Sequence, residues 1–136
     1  MPSDAELVRL FRMHRDTFEQ LRAIAMKDVW SVSYISLEVL DQNKLSADRR
    51  KQYADLLSKI RPDLVMGIDS FEISFSFSGG GEGLSVNRSW MKGISYLPRA
   101  TPVGHFVRSL DTLPLDDGQY YVPIEGNWYV VYKQLE

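Results

Sequence analysis

Two histidines are the first residues to weigh for chemistry, because imidazole is the side chain that changes charge near neutrality. His14 falls on the apolar stripe of the N-terminal segment. There it could act as a general base or a ligand, although a ring in such a place usually packs in the core with one nitrogen bonded. His105 lies between Pro102 and Leu110, beside Arg108 and Asp111, in a loop-like stretch. Functional groups concentrate on loops, so His105 is the better catalytic candidate by location. Either histidine with a carboxylate would suit a small hydrolase. No nucleophile motif accompanies them. The nearest approach to G-x-S-x-G is Gly93-Ile94-Ser95-Tyr96-Leu97, which lacks the second glycine, and H-E-x-x-H is absent. The chain has no cysteine, which excludes disulfides, thiolate zinc sites, iron–sulfur clusters and thiol catalysis. No metal site and no cofactor are expected.

Other polar groups have plainer readings. Gly79-Gly80-Gly81-Glu82-Gly83 follows a strand pattern, as phosphate loops do. No Lys-Ser or Lys-Thr pair follows it and no helix pattern begins there, so it reads as a hairpin loop. Asp116-Asp117-Gly118 is a turn signal rather than a paired-carboxylate site. Glu72 sits among serines on what reads as the wet side of a strand. Arg49-Arg50-Lys51 opens a helix and reads as a solvated face, and Asn87-Arg88-Ser89 fits a glycosylation triplet of the kind that arises by chance.

The aromatic load is more informative. Three Trp, seven Tyr and six Phe make 12% of the chain. Tyr96, Tyr120, Tyr121, Trp128, Tyr129 and Tyr132 crowd the C-terminal half, more than one sheet face can hide against two helices. Tyr and Trp beside basic residues is a composition of protein-recognition patches, and aromatics are also ordinary sheet fillers. Strand alternation places Lys92 and Tyr96 on one face, with Trp128 on a strand that can pair beside them. Lys92, Tyr96 and Trp128 are therefore the candidate recognition surface, with another protein as the expected partner.

Those residues need elements to hold them. Ser3-Asp4-Ala5-Glu6 matches a capping box, and Leu7, Leu10, Phe11, His14, Phe18, Leu21 and Ala25 follow at helical spacing, which predicts one helix ending near Asp28. Trp30, Val32 and Tyr34 alternate with serines and suit a short strand, with helix also open up to Leu40. Ser46 caps a second helix through about Lys59, with Tyr53, Leu56, Leu57 and Ile60 on one face and Pro62 stopping it. From residue 64 the period changes to two. Phe71, Ile73, Phe75 and Phe77 form the apolar side of the clearest strand. Further strands are expected at Leu84 to Asn87, at about Trp90 to Leu97, and at Trp128 to Lys133, the last apolar on both faces and so central or covered. Val103 to Leu110 reads as helical turns or an extended crossing. Helices first and strands second predict an α+β fold, two N-terminal helices packed on one face of an antiparallel sheet of about four strands.

With 136 residues, one domain is the default, spanning 1–136. A net charge of -2 gives no bias toward nucleic acid. No run approaches the roughly 18 apolar residues of a bilayer span. The start, MPSDAELVRL, lacks the pattern of a signal peptide.

Several segments resemble a group of small uncharacterised bacterial proteins, some of them predicted lipoproteins. They are His14-Arg15-Asp16-Thr17-Phe18-Glu19-Gln20-Leu21 with Met26 and Asp28, then Tyr53 with Leu56-Leu57, then Gly83-Leu84 ahead of Lys92-Gly93-Ile94-Ser95-Tyr96-Leu97-Pro98. Ser109-Leu110-Asp111 and Ile124-Glu125-Gly126-Asn127-Trp128-Tyr129 complete the set. The resemblance covers most of the chain and carries no catalytic residues. It implies a bacterial source and makes an envelope location a real alternative. No lipobox cysteine is present, so the chain as it stands reads as cytoplasmic, or as periplasmic or envelope-bound if a leader was removed. The leading expectation is a non-enzymatic protein-interaction domain, of immunity type or an envelope accessory, with the histidine hydrolase as the alternative.

Overall fold

A computed structural model describes residues 2–30, 32–42, 44–77, 89–99, 105–111 and 118–135. Its helices are α1 (Asp4–Met13), α2 (Arg15–Lys27) and α3 (Ala47–Ile60). Its strands are β1 (Tyr34–Ser36), β2 (Leu64–Ile68), β3 (Ile73–Phe77), β4 (Ser89–Tyr96), β5 (His105–Phe106), β6 (Gln119–Glu125) and β7 (Trp128–Leu135). They form one sheet in the order β1-β2-β3-β4-β7-β6-β5. Six strands run antiparallel to their neighbours, and β5 pairs in parallel with β6. The fold is α+β, as the order of elements predicts, but the sheet exceeds the expected four strands. Among the described residues no helix is long and apolar enough to cross a membrane.

The helix starts follow local chemistry. Ser3 Oγ accepts the Glu6 amide at 3.1 Å, and Ser46 Oγ accepts the Arg49 amide at 3.1 Å, each satisfying a first-turn donor that has no partner inside the helix. The first expected helix is two. The chain leaves helical geometry at His14 (φ -122, ψ 27), whose amide is shared between the Leu10 and Phe11 carbonyls. The break lets Phe11 and Phe18, both fully buried, close on the same indole. Their ring centroids lie 5.0 and 5.9 Å from that of Trp128. His14 is half-buried at this joint.

The helices lie against one face of the sheet. Leu7, Phe11, Phe18, Leu21, Tyr53 and Leu57 meet Met66, Phe75, Ile94, Trp128 and Val130 in a single core. Registers Met66↔Phe75, Phe75↔Ile94 and Ile94↔Val130 carry that face straight across four strands. Between β3 and β4 the backbones approach closely at Gly93, where a Cβ would stand 1.9 Å from the Phe75 carbonyl oxygen. Strand β7 sits between β4 and β6, as its two apolar faces predict. Tyr129, Val131 and Tyr121 fill its far side with Leu97.

Three strands escape the sequence reading. β2 alternates Leu64, Met66 and Ile68 toward the core, but Gly67 interrupts its β-propensity. β6 contains Pro123 and a register shift between Pro123 and Glu125, and is joined to β7 by a tight turn with Gly126 at φ 53. β5 is two residues long. The strand expected around Trp30 begins only at Tyr34, and Trp30 stands in the preceding turn, 89% exposed. Phe71, expected on the core side, lies in the β2–β3 turn and is 67% exposed. Asp69 Oδ1 makes that turn by accepting both the Phe71 and Glu72 amides at 2.7 Å, a local alternative to continued strand pairing. The glycine run 79–83, the strand expected at 84–87 and the pair Asp116-Asp117 lie outside the described residues.

Candidate functional site

Lys92, Tyr96 and Trp128 do share one face, and Tyr96 pairs directly with Trp128. It is the helix-covered face. Lys92 is 3% exposed, and its Nζ lies 2.8 Å from Asp4 Oδ1 and 3.1 Å from Asp111 Oδ1. Asp4 also accepts the Leu110 amide at 2.7 Å and the Ser109 hydroxyl at 3.3 Å. Asp111 in turn accepts the Asp4 amide at 2.9 Å. That backbone hydrogen bond, aided by Lys92, holds the Asp111 carboxyl below the usual carboxylate range. The lysine therefore ties the start of α1 to the 109–111 segment. Trp128 is also 3% exposed, its indole N–H donating to Glu19 Oε1 at 2.7 Å. Arg22, paired with Glu19, lies over the half-buried Tyr96 ring at 4.9 Å from its centroid. A contact surface at these positions would be made by Tyr96 and Arg22, because Lys92 and Trp128 are spent on the interior.

The basic run at the start of α3 has a similar structural use. Arg49 Nε lies 3.3 Å from Asp28 Oδ2, which also accepts the Tyr53 hydroxyl at 2.7 Å. Burial, with the neighbouring Asp28 carboxylate adding to it, raises the Tyr53 phenol above its ordinary value.

The far face of the sheet holds the arrangement that sequence reading placed in water. Glu72 is 7% exposed. Its Oε2 accepts the Ser95 hydroxyl at 2.6 Å and the Tyr121 hydroxyl at 3.2 Å, and its Oε1 meets Lys133 Nζ in a short ion pair. The three partners come from β4, β6 and β7, so the cluster exists only once the sheet is assembled. Tyr121 is raised in the same direction as Tyr53, first by burial and then by the adjacent Glu72 charge. Above this cluster is a hollow of about 290 Å³, walled by Phe71, Leu97 and Tyr121 and floored by Glu72 and Lys133, with Asp69 and Gln119 at its edges. Beyond Tyr121, the Phe106 ring stands 5.8 Å from Tyr121 and 5.5 Å from Tyr129, and is 48% exposed.

The two phenols give a testable pH dependence. A phenol whose folded value lies above its unfolded one binds its proton more tightly when folded. Its stabilising contribution is complete below the unfolded value near 10 and is lost as pH rises past it. Urea midpoints measured from about pH 8 to about pH 11 should therefore fall, and Tyr121→Phe and Tyr53→Phe should each flatten the decline. An unchanged slope in both variants would contradict the burial of these hydroxyls.

In chemical terms, Glu72 accepts from three donors and is held in place by them. His14 sits at a helix joint, and the His105 side chain lies outside the described residues. The cue available in the sequence was the pairing of Glu72 with a lysine in the final strand, both at alternation positions away from the core. No known protein family, curated protein or solved structure matches the chain.

Proposed function

We propose that this protein is a non-enzymatic protein-interaction domain, of immunity type or an envelope accessory, and that it meets its partner with the sheet face away from the helices. The observation that carries this reading is the pair of exposed rings, Phe71 and Phe106, flanking the buried Tyr121–Tyr129 cluster and the hollow beside it. Exposed aromatic rings beside a recess are the kind of residue that becomes buried as an interface anchor, and aromatic anchors typically contribute about 2 kcal/mol or more each. Glu72, one of the two carboxylates in the described lining of the hollow, is bonded on both oxygens, which suits a rigid contact surface.

Site-specific photocrosslinking in the source cell tests this. A photoreactive phenylalanine analogue at Phe71 or Phe106 should give a discrete adduct with one protein, and the same analogue at the exposed Met13 on α1 should not. Absence of adducts from both far-face positions, or equal labelling from Met13, would end the reading. His105→Ala should also restore the phenotype of a chromosomal deletion as well as the wild-type gene does. Loss of complementation by a natively folded His105→Ala protein would favour the hydrolase instead.

A further inference from the structure

The hollow on the far face has a definite sign of charge. Its described lining carries two carboxylates, Asp69 and Glu72, and one ammonium, Lys133, a formal sum of -1. The ammonium is already engaged by Glu72. The carboxylate left over is that of Asp69, which lines the hollow together with the exposed Phe71 and whose Oδ1 holds the Phe71 and Glu72 amides. The rest of the described wall is Leu97 and the Tyr121 ring, with the Gln119 amide beside them.

An anion would approach two carboxylates and compete with Glu72 for a lysine that is paired. A neutral apolar group would desolvate Asp69 and give nothing back, and an unpaired charge taken out of water is costly. A cation on an apolar stem satisfies both halves of the site. Its head lies between the Asp69 carboxylate and the face of Phe71, where ion-pair and cation–π attraction add, and its stem lies along Leu97 and Tyr121. The volume of about 290 Å³ is at the lower limit for small-molecule pockets and suits one long side chain. We infer that the hollow receives a lysine or arginine side chain projecting from the protein partner. This rests on the reading of the far face as an interaction surface and adds the chemistry of what enters it.

The probes are N-acetyl-arginine methylamide and N-acetyl-lysine methylamide, titrated into the 15N-labelled full chain and followed by amide shifts. The neutral norleucine and anionic glutamate analogues serve as comparisons. The basic probes should shift the amides of Asp69 to Glu72 and of Gln119 to Tyr121 saturably, with dissociation constants on the order of millimolar. Asp69→Asn keeps an oxygen to accept the Phe71 and Glu72 amides while removing the charge, so the turn is retained. It should weaken the basic probes roughly three- to fivefold and leave the norleucine analogue unaffected. Phe71→Ala should weaken them as well. Equal or tighter binding of the glutamate analogue, no saturable shift with either basic probe, or undiminished affinity in Asp69→Asn would each overturn the inference. Failed probe binding alongside position-specific crosslinks from Phe71 and Phe106 would remove the cation assignment and leave the interaction face standing. Intact probe binding without those crosslinks would overturn the partner side chain as the occupant and point to a free amine.

Discussion

Replacing Phe75 with serine is expected to cost ~3–5 kcal/mol of folding stability, a large part of the roughly 5–15 kcal/mol typical of a domain. Phe75 is 1% exposed in the middle of β3, between Met66 and Ile94 on the neighbouring strands. Its ring meets Phe18 edge-on, with centroids 5.0 Å apart at 85°, and lies 5.9 Å from Trp128. The substitution removes the ring from a close-packed site and leaves a hydroxyl among apolar groups. It acts where Phe18 of α2, Phe75 of β3 and Trp128 of β7 meet. In urea, the midpoint should fall by about 1.5–3 M for a typical slope. Phe75→Leu keeps an apolar side chain there and should lose much less, about 1–1.5 kcal/mol. A serine variant within about 0.3 M of wild type would place Phe75 outside the core and reverse the facing of the whole sheet.

Phe75 also shows why some of this molecule was legible from its sequence. The two-residue period of a strand is enough to put Ile73 and Phe75 inside, and both are buried. The same kind of local rule located α3, whose Ser46 cap and Tyr53, Leu56, Leu57 and Ile60 stripe all stand as read. It also placed β7 centrally. The rule gives which residues share a face and says nothing about which face is covered. Lys92, Tyr96 and Trp128 were correctly grouped, but their face lies under the helices. Alternation gives the facing of Glu72 and Lys133, but not that they meet, for a related reason. The donors to Glu72 are 23, 49 and 61 positions away in the chain, and strand order, which periodicity does not encode, brings them together. β6 hid behind Pro123, and β2 behind Gly67, because both residues argue locally against a strand; Gly67 is carried by pairing with Tyr34 and Ser74 on its two sides, and Pro123 lies beyond β5 and, among the described residues, pairs only with Tyr129.

The second large effect is expected at the ion pair beneath the hollow. Glu72 and Lys133 side chains are 8% and 16% exposed, so little solvent screens them. Lys133→Met fills the space of the stem but leaves the Glu72 carboxylate facing only the Ser95 and Tyr121 hydroxyls. Removing one member of a buried pair typically costs ~3–5 kcal/mol, because the remaining charge has lost its counterion. Removing both members is a different matter. In Glu72→Leu combined with Lys133→Met no charge is left behind, and the Tyr121 hydroxyl still has Gln119 Oε1 at 3.1 Å to receive its proton. Among the described donors Ser95 loses its partner, at a cost of about 1 kcal/mol, so the double variant should be more stable than Lys133→Met alone by about 2–4 kcal/mol. A urea double-mutant cycle reads this directly. The proposed role of the site separates from its stability in the same variants. With both charges gone the lining keeps the single carboxylate of Asp69 and its formal sum of -1, so basic probes should still bind the double variant. If instead the two substitutions add to the sum of their separate losses, Glu72 and Lys133 do not sense each other, and the hollow does not have the floor described for it.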